Sequence, residues 1–217
     1  MSGAADPRRS AGGPGRKLAA RLVGIPTVTL GRLRSARLIA AGTVLRILLT
    51  PVIMALVIAA GTDGGDQTTL AAVLFVIAAA TDWVDGRLAR SWGVTTKLGS
   101  FLDTTADKLL VSGVLIALLE VDRVSPWIVA IIVGRELVIM SLRGMIAADG
   151  TVMEPSMLGK VKTSVQCLAI ALAIVRPGEP VAGLYIDEWA MLAAAALTLW
   201  SAVDYLARAL PVISRHG

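Results

Sequence analysis

Four aspartates, Asp82, Asp85, Asp103 and Asp107, stand in a fixed pattern inside the most hydrophobic part of this 217-residue chain. A carboxylate in or near a bilayer is costly, so an acid in such a stretch marks a functional site by default. Read as a helix, Thr81 to Arg90 puts Asp82, Asp85, Gly86 and Ala89 on one face, at i, i+3, i+4 and i+7. Gly99, Asp103 and Asp107 then form an i, i+4, i+8 stripe on the following helix. Two helices joined by a short loop would aim four carboxylates into one gap. Charges that close ionise together only with something positive between them. Hard oxygen donors select Mg²⁺ or Mn²⁺ over metals that prefer thiolate or imidazole. The pattern therefore predicts a site for two divalent cations. The plain alternative is that the acids cap helices and pair with Arg87, Arg90, Lys97 and Lys108. Capping, however, requires no convergence of four acids.

The elements that must position these residues are membrane helices. Hydrophobic residues make up 55% of the chain, above the roughly 45–50% of soluble domains. Six apolar runs, at about 38–60, 69–90, 99–121, 126–147, 157–176 and 186–210, each approach the ~20 residues that cross a bilayer. The expected fold is all-α and polytopic, with six transmembrane helices. The second and third runs carry their acids at the ends that meet in the 91–98 loop. The first run is too long and too late for a cleaved signal peptide.

Charge sets the orientation. With the N-terminus inside, Arg123 and Arg176 are the basic residues of the outer loops and their flanks, against Asp63, Asp66, Glu120, Asp122, Glu179, Asp187 and Glu188. The rest of the 21 Lys and Arg face the other side, as the positive-inside rule requires. Trp127 and Trp189 start the fourth and sixth runs on the outer side, where interfacial anchors belong. The chain is thus expected in the cell membrane (inner or plasma membrane), multi-pass, with the aspartates open to the cytoplasm. Its basic surplus forms no groove-sized patch with interleaved aromatics, so no nucleic-acid partner is expected. A basic rim against anionic membrane lipids explains it. A lone Cys167 permits no internal disulfide, and His216 as the single histidine excludes histidine triads.

Residues 1–20 read as a disordered basic tail, rich in Gly, Pro, Ser and Arg. Residues 21–37 set Arg21, Arg32, Arg34 and Arg37 among Leu, Val and Ile, the pattern of a juxtamembrane amphipathic helix. Residues 38–210 form the six-helix domain and 211–217 a C-terminal tail.

The run D-x2-D-G-x2-A-R-x8-G-x3-D-x3-D resembles the signature of the CDP-alcohol phosphotransferases, integral-membrane enzymes of phospholipid synthesis. Asp82, Asp85, Gly86, Ala89, Arg90, Gly99, Asp103 and Asp107 occupy every fixed position. The resemblance implies that Asp82 and Asp103 bridge two metal ions, Asp85 completes one and Asp107 the other. It also makes Asp107 the base that accepts the hydroxyl proton. Gly86, Ala89 and Gly99 would leave room for CDP-diacylglycerol, Arg90 would bind its diphosphate, and Thr96 would contact the nucleotide. Thr43, Arg46 and Pro51 are similar to the T-x-x-R-x4-P that opens the membrane region of relatives, and the resemblance adds Thr43 and Arg46 to the residues that would bind CDP-diacylglycerol. Relatives are homodimers, which implies the same here.

A second constellation is basic. Arg135 lies within the fourth run, Arg143 two turns on, and Lys160, Lys162 and Thr163 open the fifth. Lys160, Thr163 and Cys167 share a face, with Gln166 beside it. Buried cations beside a tetra-aspartate site point to an anionic ligand. Against this, Arg135 could pair with Glu136 or an Asp, and the lysines could mark a cytoplasmic helix end. The segments G-R-E-L, L-R and G-K-x-K-T-x-x-Q, and Asp107-Lys108-Leu109, are similar to those of one branch of the family, the phosphatidylglycerophosphate synthases. That branch joins CDP-diacylglycerol to glycerol 3-phosphate and releases CMP. Arg135, Arg143, Lys160, Lys162 and Thr163 would then hold the acceptor phosphate. Two other readings compete: another transferase of the family, of the cardiolipin synthase or phosphatidylinositol phosphate synthase type, and a divalent-cation transporter. Transport sites lie near the midplane on broken helices, whereas these acids sit at helix ends.

Overall fold

A computed structural model of the chain describes the backbone of residues 30–61, 65–92, 97–148 and 157–213, with side chains at 41–61, 65–81, 99, 101–148 and 157–211. Six helices occupy these residues: α1 Leu30–Ala60, α2 Asp66–Trp92, α3 Lys97–Glu120, α4 Pro126–Ala148, α5 Met157–Val175 and α6 Ile186–Ile213. Among the described residues the only β pairing is the isolated bridge between Val181 and Leu184. The fold is all-helical, as the apolar runs predict. The helix α1 begins inside the segment expected as a separate juxtamembrane helix. No proline lies between Pro26 and Pro51 to interrupt it. Residues 1–29 and 214–217 lie outside the described residues, and with them the expected basic tail, most of the juxtamembrane helix and most of the C-terminal tail.

Local chemistry sets the helix ends. Gly61 follows α1 at φ 59°, the left-handed position a helix C-terminus favours, and its N–H bonds back to the Val57 carbonyl at 3.3 Å. Pro126 opens α4, where a missing N–H costs nothing. Glu188 in the first turn of α6 accepts a 2.8 Å bond from the Tyr185 N–H just before the helix.

Among the described residues three helices carry stretches long and apolar enough to cross a membrane: Ala41–Ala60, Met157–Val175 and Ile186–Pro211. On α2 the described side chains form an apolar stretch at Asp66–Thr81. Asp103, Asp107 and Lys108 interrupt the apolar character of α3, as Arg135, Glu136 and Arg143 interrupt that of α4. The charges on α3 and α4 are those of the candidate site, set in otherwise apolar helices.

Both α2 and α3 pack most extensively on α1, and α5 packs on α6. One core joins Ile53 and Val57 of α1, Phe75 of α2, Leu115 of α3, Ile132 of α4 and Ile170 of α5. A smaller cluster pairs Ile139 and Ile146 of α4 with Tyr205 and Ala209 of α6. Leu48, Val76, Ile116, Val138, Leu168 and Trp200 are exposed on the outer faces. Helices apolar on both faces are stable when lipid covers the outer one.

At the far end of α3, Arg123 is buried and donates to the last carbonyls of α5, Ile174 at 2.7 Å and Ala173 at 3.4 Å. Burial, and then the nearby Arg176, lower its pKa from the ordinary guanidinium value, while Asp187 raises it. Arg176 itself pairs with the fully buried Asp187 at 3.2 Å and stacks over the Tyr185 ring at 4.8 Å. The two arginines of this end are thus committed to helix ends and acids.

Candidate active site

Two aspartates of the pattern, Asp103 and Asp107, sit one turn apart on α3 and are half-buried. Asp103 is held from α1. Arg46, 1% exposed, donates to its Oδ1 at 3.0 Å, and the Thr43 hydroxyl reaches the same oxygen at 3.3 Å. Thr43 and Arg46 are three apart and so share a helix face. One turn further on, Thr50 donates its hydroxyl to the Arg46 carbonyl at 2.8 Å. The helices meet closely there because Gly113 of α3 has no side chain. A Cβ at that position would lie 2.9 Å from Thr50 Cγ2 and 3.0 Å from Met54 Sδ. Small residues permit such approach where membrane helices pack.

Asp107 faces a different neighbourhood. Lys108 bonds it at 2.9 Å and also reaches Glu136 Oε2 of α4 at 2.7 Å. Glu136, almost fully buried, receives on its other oxygen Arg135 at 3.2 Å and Lys162 of α5. Arg135 continues to the Ser201 hydroxyl of α6 at 3.0 Å. A connected run of charge thus leads from Asp107 through Lys108 and Glu136 to three further helices. Coulomb attraction across a few Å in such a place is strong, and only paired charges tolerate the burial.

The other sequence-predicted residues fall in three groups. Asp82, Asp85, Gly86, Ala89 and Arg90 lie on the last turns of α2, and their side chains are outside the described residues, as is the whole of Thr96. Gly99 lies in the first turn of α3, with Asp103 and Asp107 following at the expected spacing. Of the basic set, Lys162 is 2% exposed and Arg135 half-buried, and they meet at Glu136. Lys160 is exposed, and Thr163 is exposed with its hydroxyl on the Gly159 carbonyl at 3.0 Å. Arg143 stands over the Tyr205 ring at 5.7 Å. The buried stripe of α5 runs Lys162, Gln166, Ala169, Ile170, Ala173, a turn-by-turn series that continues an apolar face. Lys160 and Thr163 themselves turn outward, and their face is only partly buried further along, at Cys167 and Ala171.

Sequence reasoning named Lys108, Glu136 and Gln166 without giving them roles at the site. A signal existed for Glu136: a carboxylate in an apolar helix is as costly as the adjacent Arg135. Ser201 carried none, because one hydroxyl in an apolar helix satisfies itself locally.

The described donors suit a divalent cation in kind: Asp103 and Asp107 offer carboxylate oxygen one turn apart on one helix face. Among the described residues no three Asp, Glu, His or Cys side chains converge as a metal site. Asp82 and Asp85 would supply the remainder of the set.

Residues 39–200 match the family model described as CDP-alcohol phosphatidyltransferase. The CDP-diacylglycerol–glycerol-3-phosphate 3-phosphatidyltransferase of Bacillus subtilis is 38% identical over 174 residues, 75% of this chain and 86% of that one. The protein of the same name from Sodalis glossinidius is 43% identical over 140 residues, 62% of this chain and 75% of its own. A probable phosphatidylglycerophosphate synthase of Mycobacterium tuberculosis is 37% identical over 181 residues, 83% of this chain and 85% of its own.

Proposed function

The chain belongs to the CDP-alcohol phosphatidyltransferase family, and we propose that it moves a phosphatidyl group from CDP-diacylglycerol to the 1-hydroxyl of sn-glycerol 3-phosphate. The products are phosphatidylglycerophosphate and CMP. The observation that carries this reading is the adjacency of two kinds of charge. The signature aspartates of α3 stand beside Lys108, Arg135 and Lys162, gathered from three helices on Glu136. A reaction between a nucleotide lipid and a phosphorylated alcohol needs both.

In this mechanism the acceptor hydroxyl oxygen attacks the β-phosphorus. The bond from that phosphorus to the bridging oxygen breaks, and CMP leaves with the electron pair. Asp107 takes the hydroxyl proton, as a carboxylate within hydrogen-bond reach can. Arg46 and Thr43 fix Asp103 from α1, so that its carboxylate is oriented before substrate arrives. Arg90 binds the diphosphate, Thr96 and Gly99 border the nucleotide, and Gly86 and Ala89 leave the helix surface open to it. Arg135, Arg143, Lys160, Lys162 and Thr163 draw the acceptor phosphate, the buried Arg135 and Lys162 most strongly. Two divalent cations, Mg²⁺ or Mn²⁺, held by Asp82, Asp85, Asp103 and Asp107, would supply Lewis-acid stabilisation of the attacking and leaving oxygens.

All six helices cross the cell membrane in this reading, with a juxtamembrane amphipathic helix before them and the site facing the cytoplasm. The working unit is a homodimer. Charge distribution and the exposed apolar faces support the membrane placement. The test is to incubate the purified protein in lipid nanodiscs with CDP-diacylglycerol and a panel of acceptors, and to measure CMP and the lipid product. CMP release with glycerol 3-phosphate above all other acceptors is expected. Preference for an inositol phosphate or for phosphatidylglycerol would overturn the acceptor assignment.

A further inference from the structure

We infer that Glu136 is the positioning residue that assembles the acceptor-phosphate site, gathering Lys108, Arg135 and Lys162 on one buried carboxylate. The inference rests on the acceptor reading above and extends it to a residue and a means of selection. A carboxylate buried for stability alone needs one cation. Glu136 has three, from α3, α4 and α5. Even with Lys108 shared by Asp107, three cations face two carboxylates among the described residues.

Hydrogen bonding shows the same imbalance. Arg135 Nε and Gln166 Nε2 are buried donors with no acceptor among the described residues. Gln166 is 3% exposed and stands one turn from Lys162 on the buried stripe of α5. Buried donors without acceptors are uncommon in folded proteins, and each costs free energy unless a ligand fills its need. Surplus positive charge together with surplus donors describes a site for an anion rich in acceptor oxygens. A phosphate monoester, with a charge of about −1.5 to −2 near neutral pH, has that chemistry. Glu136 itself does not bind the acceptor. It holds mutually repelling cations at one point, so that the phosphate meets them already gathered and its alcohol end lies toward Asp107. Selection follows: an acceptor without a phosphate leaves the surplus unmatched.

The experiment compares Glu136→Gln and Glu136→Asp in the full-length enzyme, varying each substrate at saturation of the other. Binding of glycerol 3-phosphate is read separately, as its shift of Tm without CDP-diacylglycerol. Glu136→Gln is expected to raise the acceptor KM about tenfold or more, to leave the KM for CDP-diacylglycerol within about twofold, and to erase the Tm shift. Glu136→Asp should restore much of the acceptor KM. An unchanged acceptor KM in Glu136→Gln would overturn the inference. So would a parallel rise of both KM values that Glu136→Asp does not correct. If Glu136→Gln does not survive extraction, Gln166→Leu must show the acceptor-specific rise, and its absence is equally fatal. Should the wild type prefer myo-inositol 1-phosphate, the acceptor reading fails alone, and the same KM comparison with that phosphate still decides the role of Glu136.

Discussion

Arg46 and Asp103, 57 positions apart in the chain, meet across α1 and α3 through a 3.0 Å bond from a guanidinium to a carboxylate oxygen. The cation is almost wholly buried and the acid about a quarter exposed, so the contact fixes a signature carboxylate from a rigid side. Removing Arg46 leaves Asp103 to the longer Thr43 hydrogen bond alone among the contacts described above and opens a space in the helix interface. Arg46→Ala is expected to lower kcat at least tenfold and to cost about 3 kcal/mol of stability, the low end for breaking a buried pair. Arg46→Lys should keep the fold and lose much of the rate. Steady-state kinetics with a thermal melt in detergent check both.

Asp82→Asn and Asp103→Asn should each abolish CMP release while the protein still inserts and purifies as the wild type does. Activity above about a tenth of wild type in either variant would contradict a role for that acid in holding metal.

Chelation should be equally complete. EDTA is expected to stop turnover, Mg²⁺ or Mn²⁺ to restore it, and Zn²⁺ to restore it poorly, since the proposed donors are all carboxylates. Full turnover in chelator would remove divalent metal from the mechanism.

Among the basic residues, effect should follow burial. Arg135→Ala and Lys162→Ala are expected to raise the KM for glycerol 3-phosphate on the order of ten- to a hundredfold, the worth of a charge-assisted contact. Lys160→Ala, at an exposed position, should move it only a few-fold, because water screens the charge. Equal effects at Lys160 and Lys162 would mean that the exposed face of α5 binds the phosphate.

Gly113→Ala tests the fit of α1 on α3. The added methyl collides with a stiff Thr50 and a flexible Met54. Met54 can yield, but moving Thr50 breaks its bond to the Arg46 carbonyl. A loss of about 1 kcal/mol is expected, with a fall in kcat that Arg46→Ala already contains. The double variant should therefore lose less than the product of the two single losses.

Much of this was readable from residue order alone. The helices α4, α5 and α6 begin at Pro126, Met157 and Ile186, where the apolar runs predicted them, because proline and polar loops punctuate those runs. Gly99, Asp103 and Asp107 fall on one helix as their spacing requires. The start of α1 was less visible, since an arginine-rich amphipathic stretch and the first turns of a long helix look alike in sequence. Hidden altogether was the convergence on Glu136. Lys162 lies 26 positions from it, and only the packing of α3, α4 and α5 decides which cations share a carboxylate. The rotation of α5 was hidden too, because the apolar stripe below Gln166, and not the basic residues at its start, determines which lysine turns inward.

The arginine bonds at the far end of α3 bear on how the chain is built. In the proposed orientation Arg123 crosses the bilayer with the α3–α4 hairpin. The carbonyls of Ala173 and Ile174 that receive it belong to a helix the ribosome has not yet made. Arg176 follows, and its partner Asp187 emerges later still. Until α5 and α6 arrive, those particular bonds cannot form. The corner between α3 and α4 therefore takes its final form only once the last two helices are in place.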